Sequence, residues 1–460
     1  MNRVFFWMIA VAFAVAAARQ LLVSVDWVGD ALPGDTLYAL RVNLLWLASF
    51  VHLPAPDAKG VIATPMDQLG GAAFEWAEKG VLGVALKQLG GMTLMLGMMK
   101  IVEQGGGLAI MAKVIRPLMV RLFPDVPGSH PAMGAMILNL SANALGLGNA
   151  ATPFGLKAMT ELDKLNPHKG TATNSMALFL AINTSGVTIL ATGVVVLRKS
   201  LGSGDPAGII GTTLFATSCS TIAAVIFCKA IQGFFATPPA SNPVEAWTPD
   251  PEADASYPAW VTAAFLASVA LFMPLSILYA SVITPWLMPT ILLGFVSFGY
   301  VRGVPVYEAF IAGAREGFDI VIRIIPYLVG ILACVGMITA SGAMDLFAGA
   351  IGPFTAPLGL PAEALPMALI RPLSGSGASG VLAATLANPA TGPDTYTGYL
   401  VSTIAGSTET TFYVLSLYFG SVGIKNIRHA LACGLVADLF GLIGSVVGVQ
   451  AYFWYAGLTP

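Results

Sequence analysis

The chain has 460 residues, of which 56% are hydrophobic and 10% charged, with a formal net charge of −2 and a mean hydropathy of +0.78. An ordinary soluble domain carries about 25% charged residues, so the composition excludes that class, and the near-neutral charge gives no footprint for nucleic acid. Fifty glycines and 30 prolines suit an all-α polytopic membrane protein, whose helices tolerate both residues better than soluble helices do.

In chain order, the first apolar run covers residues 4–25, behind Arg3. A signal peptide ending near "AVAAAR" is one reading. A first transmembrane helix is favoured, because apolar character resumes through Leu21, Leu22 and Val23. A second apolar segment is predicted over 37–53, an amphipathic helix with Glu75 and Lys79 at i,i+4 over 66–88, and an apolar helix over 89–102. A hydrophobic region interrupted by Gly, Ser and Asn follows over 130–165. Its end, "TELDKLNPHKG" (160–170), reads as a solvated helix end and loop. Two long apolar segments then cover 171–197 and 209–235, each near or above the roughly 20 residues that span a bilayer.

The stretch 236–258, "ATPPASNPVEAWTPDPEADASYP", is rich in proline and acid and has no Lys or Arg, so it reads as an exposed linker. It separates a membrane repeat over 1–235 from a second over 259–460. The second half repeats the order of the first: apolar segments at 259–281 and 283–300, an amphipathic helix at 304–320 with Glu308 and Arg315, and an apolar segment at 321–341. An interrupted region at 361–389 precedes apolar segments at 395–419 and 430–453. The amphipathic helices read as interfacial, lying in the headgroup plane, or equally as packed against the bundle.

An ungapped comparison supports a duplication. "AMILNLSANALGLGNAAT" (135–152) and "ALIRPLSGSGASGVLAAT" (368–385) share seven of 18 positions, and "INTSGVTIL" (182–190) lines up with "IAGSTETTF" (404–412). Duplicated halves with interrupted helices in matching positions are the architecture of secondary transporters. Each interrupted region is expected to form a re-entrant or broken hairpin, with half-helix N-termini facing an anionic or polar ligand. Acidic stretches without nearby cations, at Asp26, Asp30, Asp35 and the linker, place both on the non-cytoplasmic side and make the repeats inverted. Lys425, Arg428 and Arg302 fit that scheme poorly.

Few residues carry chemistry. "GSGASG" (375–380) matches a dinucleotide fingerprint but lacks the strand and the soluble βαβ setting that pattern needs, and no Walker lysine lies near it. Primary ATP-driven transport and a nucleotide cofactor are therefore not expected. Cys219, Cys228, Cys334 and Cys433 lie in apolar segments without metal-ligand spacing and read as small buried hydrophobes, and the four histidines are scattered. No metal or catalytic centre is expected.

Glu409 stands out, since a carboxylate within a membrane segment costs about 2 to 3 kcal/mol or more. At helical spacing it shares a face with Ser402, Gly406, Tyr413 and Ser416, and its counterpart in the first half is Val187. The alternatives are an interfacial helix end, or a pair with Arg371 that holds the hairpin. Arg371 itself reads equally as a site residue opening the second hairpin or as a snorkelling cation. Asn139, Ser141, Asn143, Asn149, Asn183, Thr184 and Ser185 in the first half join Ser374, Ser376, Ser379, Ser407, Thr408 and Thr410 in the second as candidate solute ligands. Asp438 joins Glu409 as a candidate Na+ or H+ coupling site. Asp345 is expected to start a short helix.

A family resemblance emerges at these residues. "ILNLSANALGLGNAATPFGLKAMTELDKLNP" (137–167) with "ATNSMALFLAINTSGVTIL" (172–190) resembles spore maturation protein A. "RPLSGSGASGVLAATL" (371–386) with "GPDTYTGYLVSTIAGSTETTFYVLSLYFGSVGIK" (392–425) resembles spore maturation protein B. The chain is similar to a fusion of the two. The resemblance implies a Gate, or nucleoside recognition, domain of the kind shared with concentrative nucleoside transporters, and thus a transport-like core with re-entrant hairpins. "GSTET" (406–410) is similar to the transporter motif Gly-Gln-Thr-Glu-Ala-Pro, with Thr408 and Glu409 on its Thr and Glu, Ser407 in place of Gln and Thr411 in place of Pro. The missing Gln puts nucleoside specificity in doubt.

The sequence thus predicts a non-enzymatic integral protein of a bacterial inner membrane, in contact with lipid, without nucleic acid, open to homo-oligomerisation. It would carry a small polar solute through a mid-membrane site between two hairpins. The alternative is a ligand sensor or scaffold of the cell envelope.

Overall fold

The computed structural model describes residues 2–29, 64–78, 81, 82, 85–146, 148–235 and 256–457. The predicted segment 37–53 and nearly all of the acidic linker lie outside them. Eighteen α-helices, four short 3-10 helices and a single isolated bridge, Thr171 to Asn426, make up most of the regular structure of the described residues. Helices Ile209–Phe234, Ala259–Leu278 and Ala430–Tyr455 are long and apolar enough to cross a membrane, and Phe6–Gln20 and Pro285–Val301 are shorter apolar helices. The chain is an all-α integral membrane protein.

The chain divides into two compact units, residues 1–86 with 323–365 and residues 87–322 with 366–460. In the smaller unit, α1 (Asn2–Gly29) and α2 (Pro65–Glu78) pack through Ala12, Ala16 and Leu69, with Met337 and Ile338 against them. Arg19 donates to the Ala340 carbonyl at 3.2 Å, and α13 (Ala343–Thr355) completes the unit. Trp76 fills the space beside Gly336, where a Cβ would collide with its ring.

The larger unit holds α3 (Leu86–Gln104), α4 (Gly107–Leu122), α5 (Pro131–Ala144), α6 (Gly148–Lys164), α7 (Asn174–Thr184), α8 (Thr192–Ser200) and α9 (Ile209–Ile231). From the second half it takes α10 (Ala259–Leu278), α11 (Ala280–Val301), α15 (Gly375–Ala387), α16 (Tyr396–Ser407), α17 (Thr411–Ser421), α18 (Ala430–Tyr455) and nearly all of α14 (Leu365–Ile370). Helix α12 (Val306–Ala340) runs from one unit into the other.

The order hairpin, broken helix, long helix occurs twice: α5–α6, α7–α8 and α9, then α14–α15, α16–α17 and α18. Local chemistry sets the starts. Thr173 caps α7 by accepting from Met176 N, Ser374 caps α15 by accepting from Gly377 N, and Thr395 caps α16 by accepting from Gly398 N, each satisfying a main-chain donor that a helix start leaves open. Helices α9 and α18 meet along small residues. A Cβ on Gly444 would stand 3.0 Å from Ala216 Cα, and one on Gly448 3.2 Å from Phe215. Lipid offers no hydrophobic drive between helices, so close backbone approach supplies the attraction.

Several expected boundaries move. Residues 171–197 do not form one helix but break between α7 and α8, and 395–419 breaks between α16 and α17. The predicted amphipathic helix 304–320 and apolar helix 321–341 are one continuous α12 of 35 residues. Gly375, Gly377 and Gly380 do not interrupt the second hairpin; they lie within α15, and the turn is Arg371–Ser374. Pro153 likewise sits inside α6.

Candidate functional site

The site grows from the two helix breaks. At the end of α7, side chains fold back on the last carbonyls. Asn183 Nδ2 donates to Phe179 O at 2.9 Å, Thr184 Oγ1 to Ala181 O at 2.9 Å and Ser185 Oγ to Ile182 O at 2.7 Å. Short polar side chains of this kind compete with the helical ladder. Gly186 then takes φ +83°, a left-handed turn open to glycine at little cost. Val187 follows at φ +38°, strained backbone for a β-branched residue. In the second break Thr408 and Thr410 are extended, and Glu409 stands between them.

The breaks meet. Glu409 N donates to Thr184 O at 2.8 Å, and a Cβ on Gly186 would lie 2.9 Å from Ser407 O. Long helices close the crossing: Thr217 Oγ1 of α9 donates to Ser185 O at 2.8 Å, and Thr411 Oγ1 donates to Asp438 Oδ2 of α18 at 2.7 Å. Ser407 and Ser445 hydroxyls are 3.3 Å apart. The second hairpin reaches in by its turn. Phe412 N donates to Pro372 O at 3.1 Å, Arg371 donates to the Thr408 carbonyl, and Arg371 Nη2 stands 3.7 Å from Glu409 Oε2. The first hairpin joins through Asn143 Nδ2 to Asn183 Oδ1 at 3.1 Å and through Asn139 Nδ2 to Tyr418 OH of α17 at 3.4 Å.

The electrostatics are lopsided. The Glu409 side chain is 49% exposed and that of Arg371 only 11%, so the carboxylate faces open space while its cation is held in the protein. Asn139 Oδ1, Thr213 Oγ1, Arg371 Nε and Asp438 Oδ1 are buried without a hydrogen-bond partner. Each such atom costs about 1 to 3 kcal/mol, and orphans of this kind gather where a structure serves a ligand or ordered water. Arg371 and Asp438 line one cavity of about 190 Å3 with Thr408, Ile404 and Leu442. A larger cavity of about 900 Å3 is lined by Lys87, Lys199, Asp205, Pro285 and Tyr452.

The crossing therefore gathers Asn139, Asn143, Asn183, Thr184, Ser185, Arg371, Ser407, Thr408, Glu409 and Thr410, with Asp438 beside them. Ser374 and Ser376 sit at the start of α15, their hydroxyls 3.4 Å apart. Ser141 is turned onto Ile137 O of its own helix and Ser379, exposed, onto Gly375 O, so neither offers its proton to the crossing. The side chain of Asn149 lies outside the described residues. The expected polar face of one helix through Ser402, Gly406, Glu409, Tyr413 and Ser416 does not exist, because the helix stops at Ser407 and restarts at Thr411. Arg371 occupies the hairpin's turn rather than its opening, and its Glu409 partner is the one the sequence offered as an alternative.

One network escaped sequence reasoning. Arg198, at the end of α8, is fully buried. It donates to Pro393 O at 2.5 Å, Asp205 O at 3.0 Å and Asp394 Oδ1 at 3.2 Å, and lies 4.2 Å from the centre of the Tyr399 ring. Tyr399 OH donates to Asp205 Oδ2 at 2.9 Å and meets Tyr452 OH at 3.1 Å. The signal was "PDTY" (393–396), an acid in the loop that caps α16.

Crossed broken helices, clamped by two hairpins and two long helices, define a class of helical membrane protein. Residues 85–201 and 321–425 match the Gate family, described as nucleoside recognition. Spore maturation protein B of Bacillus subtilis (strain 168) is 44% identical over 167 residues, 36% of this chain and 93% of that protein. Spore maturation protein A of the same organism is 39% identical over 186 residues, 40% of this chain and 92% of that protein. The chain belongs to the spore maturation protein A and B family. Among solved structures, a double variant of CNTnw in an outward-facing state is similar over 98% of this chain and 92% of its own, with TM-score 0.42 and 14% identity.

Proposed function

We propose that the protein is a secondary transporter or exporter of a small polar solute in a bacterial inner membrane, built from two inverted repeats, 1–235 and 259–460, around the linker 236–258. The observation that supports this reading is the meeting of the two breaks, where Glu409 N bonds Thr184 O and the Glu409 carboxylate is left open beside Arg371. A carboxylate held in this way binds a cationic or hydroxyl-bearing group, or takes a coupling proton. Freed main-chain groups at the breaks and the Asn and Ser side chains hold the rest of the solute. Asp438, whose buried Oδ1 lacks a partner, is assigned to a coupling Na+ or H+.

The family description makes nucleosides the first solutes to test, with amino acids, dicarboxylates and metal ions beside them. A selective ligand raises the melting temperature of the purified protein by mass action, and Glu409→Gln should remove that rise and the flux of the same ligand into proteoliposomes. Glu409→Gln transporting at the wild-type rate would sink the assignment.

A second reading is a non-transporting sensor or scaffold of the cell envelope, favoured by the names of the two Bacillus relatives. Proteoliposomes containing this protein alone separate the two readings. A ligand that binds without flux favours the sensor.

A further inference from the structure

Cys228 and Cys433 are 205 positions apart (433 − 228), and the sequence presents both as isolated hydrophobes. The fold brings them together. Cys228 lies in the last turn of α9, His429 is the residue immediately before α18, and Cys433 follows one turn later. The i,i+4 spacing puts His429 and Cys433 on one face of α18. The two thiol sulfurs and an imidazole nitrogen all lie within 4.8 Å of one another.

The surroundings set this trio apart from ordinary core packing. Cys228 is 1% exposed and Cys433 and His429 are 0% exposed. Both ring nitrogens of His429 are buried and neither has a hydrogen-bond partner, although a neutral imidazole always carries one donor and one acceptor. The ring packs against Phe235 at 5.3 Å between centroids, which orients it without satisfying either nitrogen. A buried imidazole facing two thiols is the ligand set of a soft metal ion.

We infer that Cys228, His429 and Cys433 form a binding site for a thiophilic d10 metal ion, Cu+ or Zn2+. Both sulfurs bind as thiolates, so loading the site releases two protons to solvent, and the imidazole binds through one neutral nitrogen. Cu+ is satisfied by these three ligands. Zn2+ is balanced in charge by two thiolates and takes a fourth ligand, such as water, to complete its tetrahedron. The ion would tie the end of α9 to the start of α18, the two helices that supply Thr217 and Asp438 to the crossing. Arg428 already binds nearby main-chain carbonyls there, donating to Phe235 O at 2.5 Å and Ala172 O at 3.1 Å.

The test uses the full chain, purified in detergent under reducing, metal-free conditions and loaded anaerobically with Cu+ or Zn2+. We expect one ion per chain to survive gel filtration, with a raised melting temperature that a chelator reverses. The double variant Cys228→Ser/Cys433→Ser should lose both the ion and the shift, and His429→Ala should retain the ion more weakly. Should these variants fail to fold, proton release from the wild-type chain decides instead: each ion bound should displace two protons, and binding without proton release would overturn the site. X-ray absorption separates the ions, with two sulfurs and one nitrogen around Cu+ against four ligands around Zn2+. Failure to retain either ion, retention undiminished in the double variant, or a Cys228–Cys433 disulfide in protein kept reduced would each overturn the site. None of these readouts depends on solute transport.

Discussion

Arg198 shows how a single buried charge can organise two distant loops. Its guanidinium is held by carbonyls of Asp205, Pro206 and Pro393, by Asp394 and by the face of Tyr399. Removing it leaves the carbonyls it binds without their donor, at about 1 to 3 kcal/mol for each one that stays buried, so Arg198→Ala should lower the melting temperature. Arg198→Lys should rescue little of it, because an ammonium cannot reproduce the planar fork or the stacking. Thermal unfolding of the purified variants checks both outcomes. Glu409 was legible in sequence because an acid in an apolar run is expensive wherever the run is placed. Arg198 was not, since "LRKS" at the end of such a run has the look of an interfacial helix end. Only the fold shows that Asp394, from the other half, comes to meet it.

At the scale of elements, the helix breaks matter most, and a glycine controls one of them. Gly186 combines φ +83° with the close approach of Ser407 O. A side chain there strains the backbone by about 1 to 3 kcal/mol and pushes the two breaks apart. Gly186→Ala should therefore lower stability and weaken ligand binding together, whereas Gly193→Ala, with open space around its Cα, should do neither. A ligand titration followed by melting temperature reads both effects. The polar clusters "NTSG" and "GSTET" were visible in the sequence. Breaks were expected beside these clusters, but their exact ends were not legible, because apolar patterning reports burial and 171–197 stays apolar on both sides of the gap. The second hairpin misled for the opposite reason: its glycines suggested loop, yet Ser374 caps them into α15. Close packing of a hairpin inside a bundle favours small residues in helical form.

For the whole molecule, the duplication read from sequence predicts that the halves are held by contact rather than by the chain between them. Bonds across the division support this: Thr212 to Thr403 at 2.8 Å, Ser220 to Ala437 at 2.7 Å and Ser203 to Asp394 at 2.6 Å. A protease site placed within 236–255 should therefore be cut without releasing either half, and ligand binding should persist. Co-elution of the two fragments on gel filtration tests this, and their separation would count against it. The overall order of segments was legible because hydropathy marks membrane elements strongly. The continuous α12 was missed because its charged first turns and apolar later turns resemble two helices on composition alone.

The bond from Glu409 N to Thr184 O has one more consequence. Each break is completed by the other half, so neither half alone contains both sides of the crossing. Two separate polypeptides can be made in unequal amounts; one continuous chain cannot. Joining the halves fixes their stoichiometry at synthesis, and every molecule that folds carries both sides of the crossing.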